Sequence, residues 1–187
     1  MKNVLLLFTF ILASCTSPIK TYLPSISELG IGKEIPFSPG HNMIVHVGAE
    51  DLPAKVTLVE IQLAPMSMGA PPHIHKNEDE IFIVLEGTAH FLNGDKEIVA
   101  KKGTIASLPR GYYHGFWNPT SSPTTLALFI APGHFEKFFY AVEEAVKFRR
   151  PKSPKEFGAI ITELAGSNDV IIDMRKLPSS GLKLLPP

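Results

Sequence analysis

Cysteine is nearly absent from this sequence, with Cys15 as the single one among 187 residues. One thiol cannot form a disulfide within the chain, and it cannot build a metal site from several thiolates. A surplus of charge is also missing, because 18 Lys and Arg residues balance 18 Asp and Glu residues. A chain without a basic surplus is poorly suited to a phosphate backbone, so we expect no nucleic acid partner.

Long hydrophobic runs are also missing, and the run near the N-terminus at residues 4–13 is apolar except for Thr9. This run is too short to cross a bilayer as a helix, but it suits the apolar segment of an export signal. The segment Leu12-Ala13-Ser14-Cys15 that follows resembles the processing box of a bacterial lipoprotein signal. The resemblance implies removal of residues 1–14 and a lipid anchor on Cys15 at a membrane of the cell envelope or periplasm. The alternative is an ordinary signal peptide or a buried N-terminal helix with an incidental cysteine.

Proline, in contrast, is abundant at 17 of 187 residues, and it interrupts both helices and inner strands. Residues 15–40 are rich in Ser, Thr and Pro. This composition suits either a tether between lipid and domain or an N-terminal arm packed along the domain.

Short apolar clusters separated by turn residues occupy residues 41–132. Asn93-Gly94 is a strong hairpin signal, because both residues tolerate a positive φ. Regular short strands predict an all-β fold, as an antiparallel sandwich or barrel. The predicted strands are residues 43–47, 56–63, 81–85, 88–92, 97–99, 104–108, 113–117 and 125–130.

Residues 133–187 are predicted to form a C-terminal extension with one or two helices. The first helix has an apolar stripe at helical spacing, which we expect to pack on the barrel rather than to line a ligand pocket. The stripe consists of Phe135, Phe138, Phe139, Val142 and Val146. The opposite face is charged and consists of Glu136, Lys137, Glu143, Glu144 and Lys147. The second helix is predicted to begin at Ser153, because Ser153-Pro154-Lys155-Glu156 has an N-cap, a proline at the first position and a reciprocal Glu.

The pair His73 and His75 is the first feature with chemical content. Residues two apart in a strand point to the same face, so both imidazoles could reach one ion. A turn after residue 75 would bring the next strand back beside them, with Glu80 as an oxygen ligand. Glu78 and Asp79 are the alternative carboxylates, and two ordinary surface histidines are the alternative to a site.

A second pattern lies 30 residues further on, where Pro109 and Gly111 predict a tight turn. The strand that follows could carry His114 inward as a third imidazole.

These two patterns resemble the motifs of the cupin superfamily. The first motif, G-x5-H-x-H-x3,4-E-x6-G, is matched by His73, His75, Glu80 and Gly87, with Ser67 in place of the leading glycine. The second motif, G-x5-P-x-G-x2-H-x3-N, is matched in full by Gly103, Pro109, Gly111, His114 and Asn118. The resemblance covers roughly residues 40–135. It implies a small antiparallel jelly-roll β-barrel with one metal ion bound by His73, His75, Glu80 and His114.

Three neutral imidazoles and one carboxylate suit a divalent transition metal ion, and Mn, Fe, Ni, Co, Cu and Zn all fit this donor set. Residues 131–139 also look like the turn and helix of small bacterial quercetinase-like cupins. That resemblance implies a metal-dependent dioxygenase acting on a small organic substrate, with Glu80 as both metal ligand and candidate catalytic base. A non-enzymatic binding or sensing protein and a metal-dependent isomerase or lyase are the alternatives.

Four further residues are candidates for the substrate pocket: Phe82, His90, Tyr112 and Phe116. His90 shares strand parity with Glu80 if no bulge intervenes. Tyr112 and Phe116 could form an aromatic mouth, although packing within the barrel is the other interpretation. Cupins commonly pair through edge strands or exchanged arms, so the resemblance also predicts a homodimer.

Overall fold

The computed structural model describes residues 20–185, so the predicted signal segment and Cys15 lie outside the described residues. It has eleven strands, three α-helices and one 3₁₀ turn. The strands are β1 (Glu34–Ser38), β2 (His41–Val47), β3 (Thr57–Leu63), β4 (Ser67–His75), β5 (Asp79–Glu86), β6 (Thr88–Asn93), β7 (Lys96–Lys101), β8 (Ile105–Leu108), β9 (His114–Asn118), β10 (Thr124–Ala131) and β11 (Val170–Ile172). The helices are α1 (Glu136–Arg149), α2 (Pro154–Ser167) and α3 (Ser179–Leu182), with the 3₁₀ turn at Met174–Lys176.

The strands form two antiparallel sheets, which confirms the predicted all-β jelly-roll class with a helical extension. One sheet has six strands in the order β1-β2-β3-β10-β5-β8, and the other has five in the order β11-β4-β9-β6-β7. Consecutive strands β4 and β5 lie in different sheets, as do β5 and β6. The chain therefore crosses between the facing sheets at the turns that flank β5.

All eight strands expected from the sequence are present, with bounds that differ by up to two residues. Three strands are additional to these eight: β1, β4 and β11, of which β4 was assumed only around His73 and His75. β1 pairs with β2 in the six-stranded sheet, so residues 34–38 belong to the barrel rather than to a tether. β4 was obscured by Pro71 and Pro72, because proline has no N–H to donate to a neighbouring strand.

The predicted hairpin at residue 93 is present with a different turn. Asn93 pairs with Lys96, so the two turn residues are Gly94 and Asp95 rather than Asn93 and Gly94. Gly94 has a φ of +65°, the left-handed conformation that glycine adopts without strain.

The two predicted helices are present, but the charged face of α1 is not wholly exposed. Glu136 and Glu143 are both buried. The Glu136 carboxylate accepts hydrogen bonds from the Ala49 backbone N–H, at 3.1 Å, and from the Thr57 hydroxyl, at 2.9 Å. The sequence prediction for Glu136 was therefore wrong, because helical periodicity cannot identify a buried partner supplied by another element.

Helix α2 begins as the sequence predicts. Ser153 is its N-cap, and the Ser153 hydroxyl accepts from the Glu156 N–H at 3.2 Å. The Glu156 carboxylate accepts from the Lys152 N–H, at 2.7 Å, rather than from that of Ser153. Pro154 occupies the first helical turn, where its missing N–H leaves no hydrogen bond unmade.

The described N-terminal segment lies against the outer face of the six-stranded sheet. The Gly30 N–H donates to the buried Glu60 carboxylate at 2.7 Å. The ring of His46 bridges the same carboxylate, at 3.0 Å, and the Ser27 hydroxyl, at 3.1 Å. These hydrogen bonds hold residues 27 and 30 against the sheet, although residues 20–34 are exposed apart from the half-buried Tyr22.

The main hydrophobic core lies between the two sheets and extends under α1 and α2. A smaller cluster of Leu92, Trp117 and Leu177 lies where the C-terminal segment covers the five-stranded sheet. The Trp117 indole N–H donates to the Ser180 hydroxyl at 2.9 Å, which fixes α3 against that sheet. Within residues 20–185, no helix is both long and apolar enough to cross a membrane.

Candidate metal centre

The four residues predicted as metal ligands are brought together by three strands. His73 and His75 lie on β4, His114 on β9 and Glu80 on β5. All four are buried, and one potential ligand atom from each lies within 4.8 Å of the others. We call this group the His/Glu cluster.

Glu80 reaches the cluster by a different route from the one the sequence suggested. The predicted turn after residue 75 does not return β5 beside β4, because β5 pairs with β10 and β8 in the facing sheet. Glu80 therefore approaches the histidines across the interior of the barrel. The alternation of side chains along β5 still sends Glu80, Phe82 and Val84 inward.

The histidines of β4 and β9 are aligned by an irregularity in strand pairing. His73 lies directly opposite His114, and the register shifts between Ala70 and His73. Pro71 and Pro72 occupy this shift, where β4 has no N–H groups to donate to β9. The prolines that obscured the strand in the sequence thus accompany the bulge that sets the ligand register.

Ring nitrogens and carboxylate oxygens converge on one point. His73 Nε2 lies 3.1 Å from His75 Nε2, and His75 Nε2 lies 3.5 Å from Glu80 Oε1. His114 Nε2 lies 3.2 Å from Glu80 Oε2. It is buried and not aligned for a hydrogen bond. Such an atom costs free energy unless another group satisfies it.

Two of the imidazoles are oriented by backbone carbonyl groups. His73 Nδ1 lies 2.7 Å from the Pro71 oxygen, and His114 Nδ1 lies 3.1 Å from the Tyr112 oxygen. A carbonyl can only accept, so each Nδ1 carries the proton and donates. Each Nε2 consequently keeps its lone pair and directs it toward the centre of the cluster.

The third imidazole is oriented by a carboxylate. His75 Nδ1 lies 3.2 Å from Glu78 Oε2, on the side of the ring away from the cluster. Glu78, one of the two alternative ligands in the sequence interpretation, thus supports His75 instead. Asp79, the other alternative, forms a two-point ion pair with Arg110, at 3.0 and 2.7 Å, on the surface.

The ionisation of the cluster follows from burial and mutual charge. Burial lowers the pKa of His73 to about 3, and the charges of His114 and His75 act in the same direction. Burial alone would raise the pKa of Glu80, but the neighbouring imidazoles outweigh it and bring that pKa to about 2. Burial also lowers the pKa of His75, but the carboxylates of Glu80 and Glu78 outweigh burial and raise this pKa above its usual value.

The residues present therefore fit a divalent transition metal ion. Three imidazole nitrogens and one carboxylate oxygen form the donor set, and their convergence leaves the orphaned His114 Nε2 facing the position that an ion would take.

The turn before β9 is tied to the cluster. Gly111 has a φ of +82°, and its N–H donates to the His75 carbonyl at 2.9 Å. Asn118, the last residue of the second motif, donates to the Ala64 and Ser122 carbonyl oxygens, at 3.0 and 2.8 Å. These motif residues hold the turns around the site rather than contributing ligands.

In the first motif, Ser67 occupies the position of the leading glycine. Ser67 begins β4, and its hydroxyl donates to the Ala64 carbonyl at 2.7 Å. The left-handed residue of the preceding turn is Met66, with a φ of +53°.

An apolar cavity opens beside the cluster, between the two sheets and under the helices. The cavity has a volume of about 70 Å³, and His73, His75 and Glu80 form part of its wall. Most of the remaining wall is aromatic or aliphatic, including Phe37, Phe116, Leu128, Phe135, Phe138 and Phe139. The aromatic stripe of α1 thus packs in the core and also lines the cavity, two roles that the sequence interpretation treated as exclusive.

The four predicted pocket residues have different positions. Phe116 lines the cavity. Phe82 is fully buried behind it, with ring centroids 4.9 Å apart. Tyr112 is 63% exposed and does not line the cavity.

His90 is also outside the cavity. It lies on the opposite face of β6, where its ring contacts Glu97. The chain changes sheets at Gly87, so the inward residues are even-numbered on β5 but include Ala89 and Phe91 on β6. Counting parity from Glu80 through this crossing placed His90 on the wrong face.

His41, which neither sequence motif includes, lines the cavity instead. His41, at the start of β2, is 2% exposed, and its Nδ1 lies 3.1 Å from the Gly69 carbonyl oxygen. Burial lowers the pKa of His41 to about 4, so the ring is neutral at pH 7. The same inward parity as Met43, two residues along β2, is the signal that could have identified it.

Comparison with known proteins agrees with this architecture. Residues 59–131 match the family described as "Cupin domain". Germin-like protein 8-2 of Oryza sativa subsp. japonica is 31% identical over 80 residues, which cover 39% of this chain and 36% of that protein. The chain thus spans about a third of the length of the curated relatives it matches.

Two solved structures share the fold at low sequence identity. An RmlC-like cupin from Shewanella frigidimarina has a TM-score of 0.51 at 15% identity, covering 62% of this chain and 96% of that one. The polyketide cyclase RemF from Streptomyces resistomycificus has a TM-score of 0.50 at 22% identity, covering 58% and 79% of the two chains. Residues 59–131 are thus similar to a cupin domain, and the two solved structures share the two-sheet fold of this barrel.

Proposed function

We propose that this protein is a metal-dependent oxygenase, with chemistry of the quercetin dioxygenase type, that acts on a small organic substrate. The observation that carries the proposal is the position of the His/Glu cluster in the wall of an apolar cavity. Four ligands leave positions open on an ion that prefers six, and the cavity could present a substrate oxygen to them. A redox-active ion bound there would supply Lewis acidity and a path for electron transfer to dioxygen.

The chain's own contribution is to position the substrate and to exclude water from the site. Among the described residues that line the cavity, Glu80 is the one carboxylate, and its low pKa keeps it ionised at neutral pH. An ionised carboxylate can accept a proton from a hydroxyl group placed within hydrogen-bonding distance. The aromatic wall from α1 limits access of water, which strengthens electrostatic interactions inside the site.

Metal content and oxygen uptake test this proposal. The wild-type protein, purified without a histidine tag, is expected to contain one equivalent of Mn, Fe, Ni, Co or Cu and to consume oxygen with flavonol or enediol substrates. Glu80→Ala should lose most of the metal and the uptake, whereas the exposed Glu86→Ala on the same strand should keep both. Zinc alone would contradict an oxygenase and favour an isomerase or lyase. Absence of metal would favour a non-enzymatic binding protein.

We also propose that the protein is exported and anchored to a membrane of the cell envelope through a lipid on Cys15. The support is the sequence Leu12-Ala13-Ser14-Cys15 after a short apolar run. Wild-type protein expressed in a bacterial host should enter the detergent phase on Triton X-114 partition, and Cys15→Ser should move to the aqueous phase. Equal partition of the two proteins would contradict the anchor.

A further inference from the structure

The cavity has one polar side chain that the metal centre does not use. His41 Nδ1 bonds to the Gly69 carbonyl, but His41 Nε2 is buried without a hydrogen-bond partner. It is one of two buried side-chain nitrogen or oxygen atoms in this condition among residues 20–185, and the other, His114 Nε2, faces the His/Glu cluster. Buried polar atoms are seldom left unpaired, so His41 Nε2 requires an explanation.

The protonation of His41 determines what it could bind. The Gly69 carbonyl can only accept a hydrogen bond, so the proton of the neutral ring lies on Nδ1. Burial keeps the pKa of the ring at about 4, well below neutral pH. His41 Nε2 is therefore a hydrogen-bond acceptor and seeks a donor.

The surroundings of His41 indicate the rest of the ligand. The ring packs against Phe37 and Phe116, with centroids 5.2 and 6.0 Å away. Gly69, which His41 contacts, precedes His73 by four residues on the same strand, a separation of at most roughly 13 Å. An elongated, mainly apolar molecule could thus contact the His/Glu cluster at one end and His41 at the other.

We propose that His41 is a specificity-determining residue that accepts a hydrogen bond from a hydroxyl or N–H group on an otherwise apolar, aromatic ligand. The interpretation of this ligand as a substrate rests on the oxygenase proposed above, but the binding preference does not. Apolar side chains select for shape and size, whereas a buried acceptor selects against ligands that lack a donor. The cavity should consequently prefer a phenol to a similar molecule without the hydroxyl group.

A pair of fluorinated probes tests this preference without turnover. Full-length protein in one buffer and detergent, with EDTA present, is titrated with 4-fluorophenol and 4-fluorotoluene, and binding is followed by ¹⁹F NMR. Comparing the ratio of the two affinities between wild type and variant cancels the different detergent partition of the probes and any packing change that affects both probes equally. We expect His41→Leu to reduce the preference for the phenol by about tenfold, the effect of one net hydrogen bond.

Three further variants control the result. His41→Gln keeps an acceptor and should keep part of the preference, and it substitutes for His41→Leu if circular dichroism shows that the leucine variant is unfolded. His134→Leu, at a partly exposed site outside the cavity, should leave the ratio unchanged. His114→Leu detects a hydroxyl bound at the cluster instead.

The proposal is overturned by any of three outcomes. The preference could persist in His41→Leu, it could disappear only in His114→Leu, or neither probe could bind to the wild type. Because no metal or oxygen takes part, a failure of the oxygenase assay leaves this result intact. Likewise, if the binding preference is not found, the result of the oxygenase assay is unaffected.

Discussion

Each imidazole of the His/Glu cluster depends on a partner for its orientation, and Glu78 is the one partner that acts through a side chain. Its carboxylate lies 3.2 Å from His75 Nδ1, while the other two rings are held by backbone oxygens. A carboxylate behind a ligating histidine fixes the ring and raises its basicity.

Glu78→Gln should therefore weaken metal binding by about 10- to 100-fold without removing a ligand. The measurement is competition against a chelating dye at pH 7. Glu86→Gln is the matched control, because Glu86 is exposed at the far end of β5. Equal affinities for Glu78→Gln and the wild type would show that the backbone alone orients His75.

Two buried histidines make the metal-free protein sensitive to acid. The pKa is about 3 for His73 and about 4 for His41, against a value of about 6.5 in an unfolded chain. The unfolded state thus binds more protons than the folded state between pH 4 and 6.5. Stability should fall by up to about 1.4 kcal/mol per pH unit for each histidine as the pH drops through this window.

Urea unfolding of the metal-free protein at pH 6.5, 5.5 and 4.5 measures this slope. The raised pKa of His75 acts in the opposite sense, with its stabilisation lost as the pH rises above 6.5, so it does not affect this window. His41→Leu should show a shallower slope than the wild type. A free energy of unfolding that is constant from pH 6.5 to 4.5 would contradict the assignment of neutral, buried rings.

At the scale of single residues, the sequence was most informative where spacing alone decides position. His73 and His75 share a face because they are two apart on one strand. His41 and Glu78 were not assigned their positions, because their partners are a carbonyl 28 residues away and a ring nitrogen whose orientation depends on the fold.

Among the elements, helix α1 is anchored to the barrel by one buried carboxylate. Glu136 satisfies the Ala49 N–H and the Thr57 hydroxyl, both of which are buried. Glu136→Ala would leave those donors unpaired, and we expect the free energy of unfolding to fall by about 2–4 kcal/mol.

Urea denaturation followed by circular dichroism tests this expectation. Glu136→Gln keeps one acceptor oxygen and should lose less. Glu144→Ala, on the exposed side of the same helix, should be close to the wild type. A similar loss in Glu136→Ala and Glu144→Ala would mean that α1 docks through its aromatic stripe alone.

Strand prediction succeeded where apolar residues alternate, and it failed at a strand that contains prolines and at short edge strands. The residues of β9 that pair with β4 lie 41 to 51 positions further along the chain, and the prolines of β4 are tolerated because the register shifts there. β1 and β11 are short edge strands: β11 has only three residues, and the alternation of Ile35 and Phe37 on β1 is interrupted by Pro36. They form because a neighbouring strand offers unpaired backbone groups.

For the whole molecule, the homodimer predicted from the cupin resemblance would need an exposed apolar surface, and the six-stranded sheet offers a candidate. Strand β8 is an open edge of the six-stranded sheet. On β8 itself Ile105 is 66% exposed. On the neighbouring strands Ile81 of β5 is 43% exposed and Phe129 of β10 is 40% exposed. Exposed apolar residues grouped on one face are typical of an interaction site.

If this surface forms the dimer, Ile105→Lys should convert the protein to a monomer without loss of fold. Light scattering coupled to size-exclusion chromatography gives the mass, and circular dichroism checks the fold. Val99→Lys is a matched control, because Val99 is 55% exposed but lies on the other sheet. A wild-type monomer, or a dimer that Ile105→Lys leaves intact, would contradict this interface.

The sequence by itself predicted the fold class and, through its resemblance to the cupin motifs, the four residues that the structure brings together in the His/Glu cluster. Both depend on short-range order: turn residues at fixed intervals, alternation along strands, and two histidine motifs. The tertiary structure decided that Glu80 crosses from the facing sheet, that the helix stripe closes a cavity, and that His41 rather than His90 faces into it. The physical reason is that spacing fixes the face of a strand, whereas which faces meet depends on contacts between residues distant in the chain.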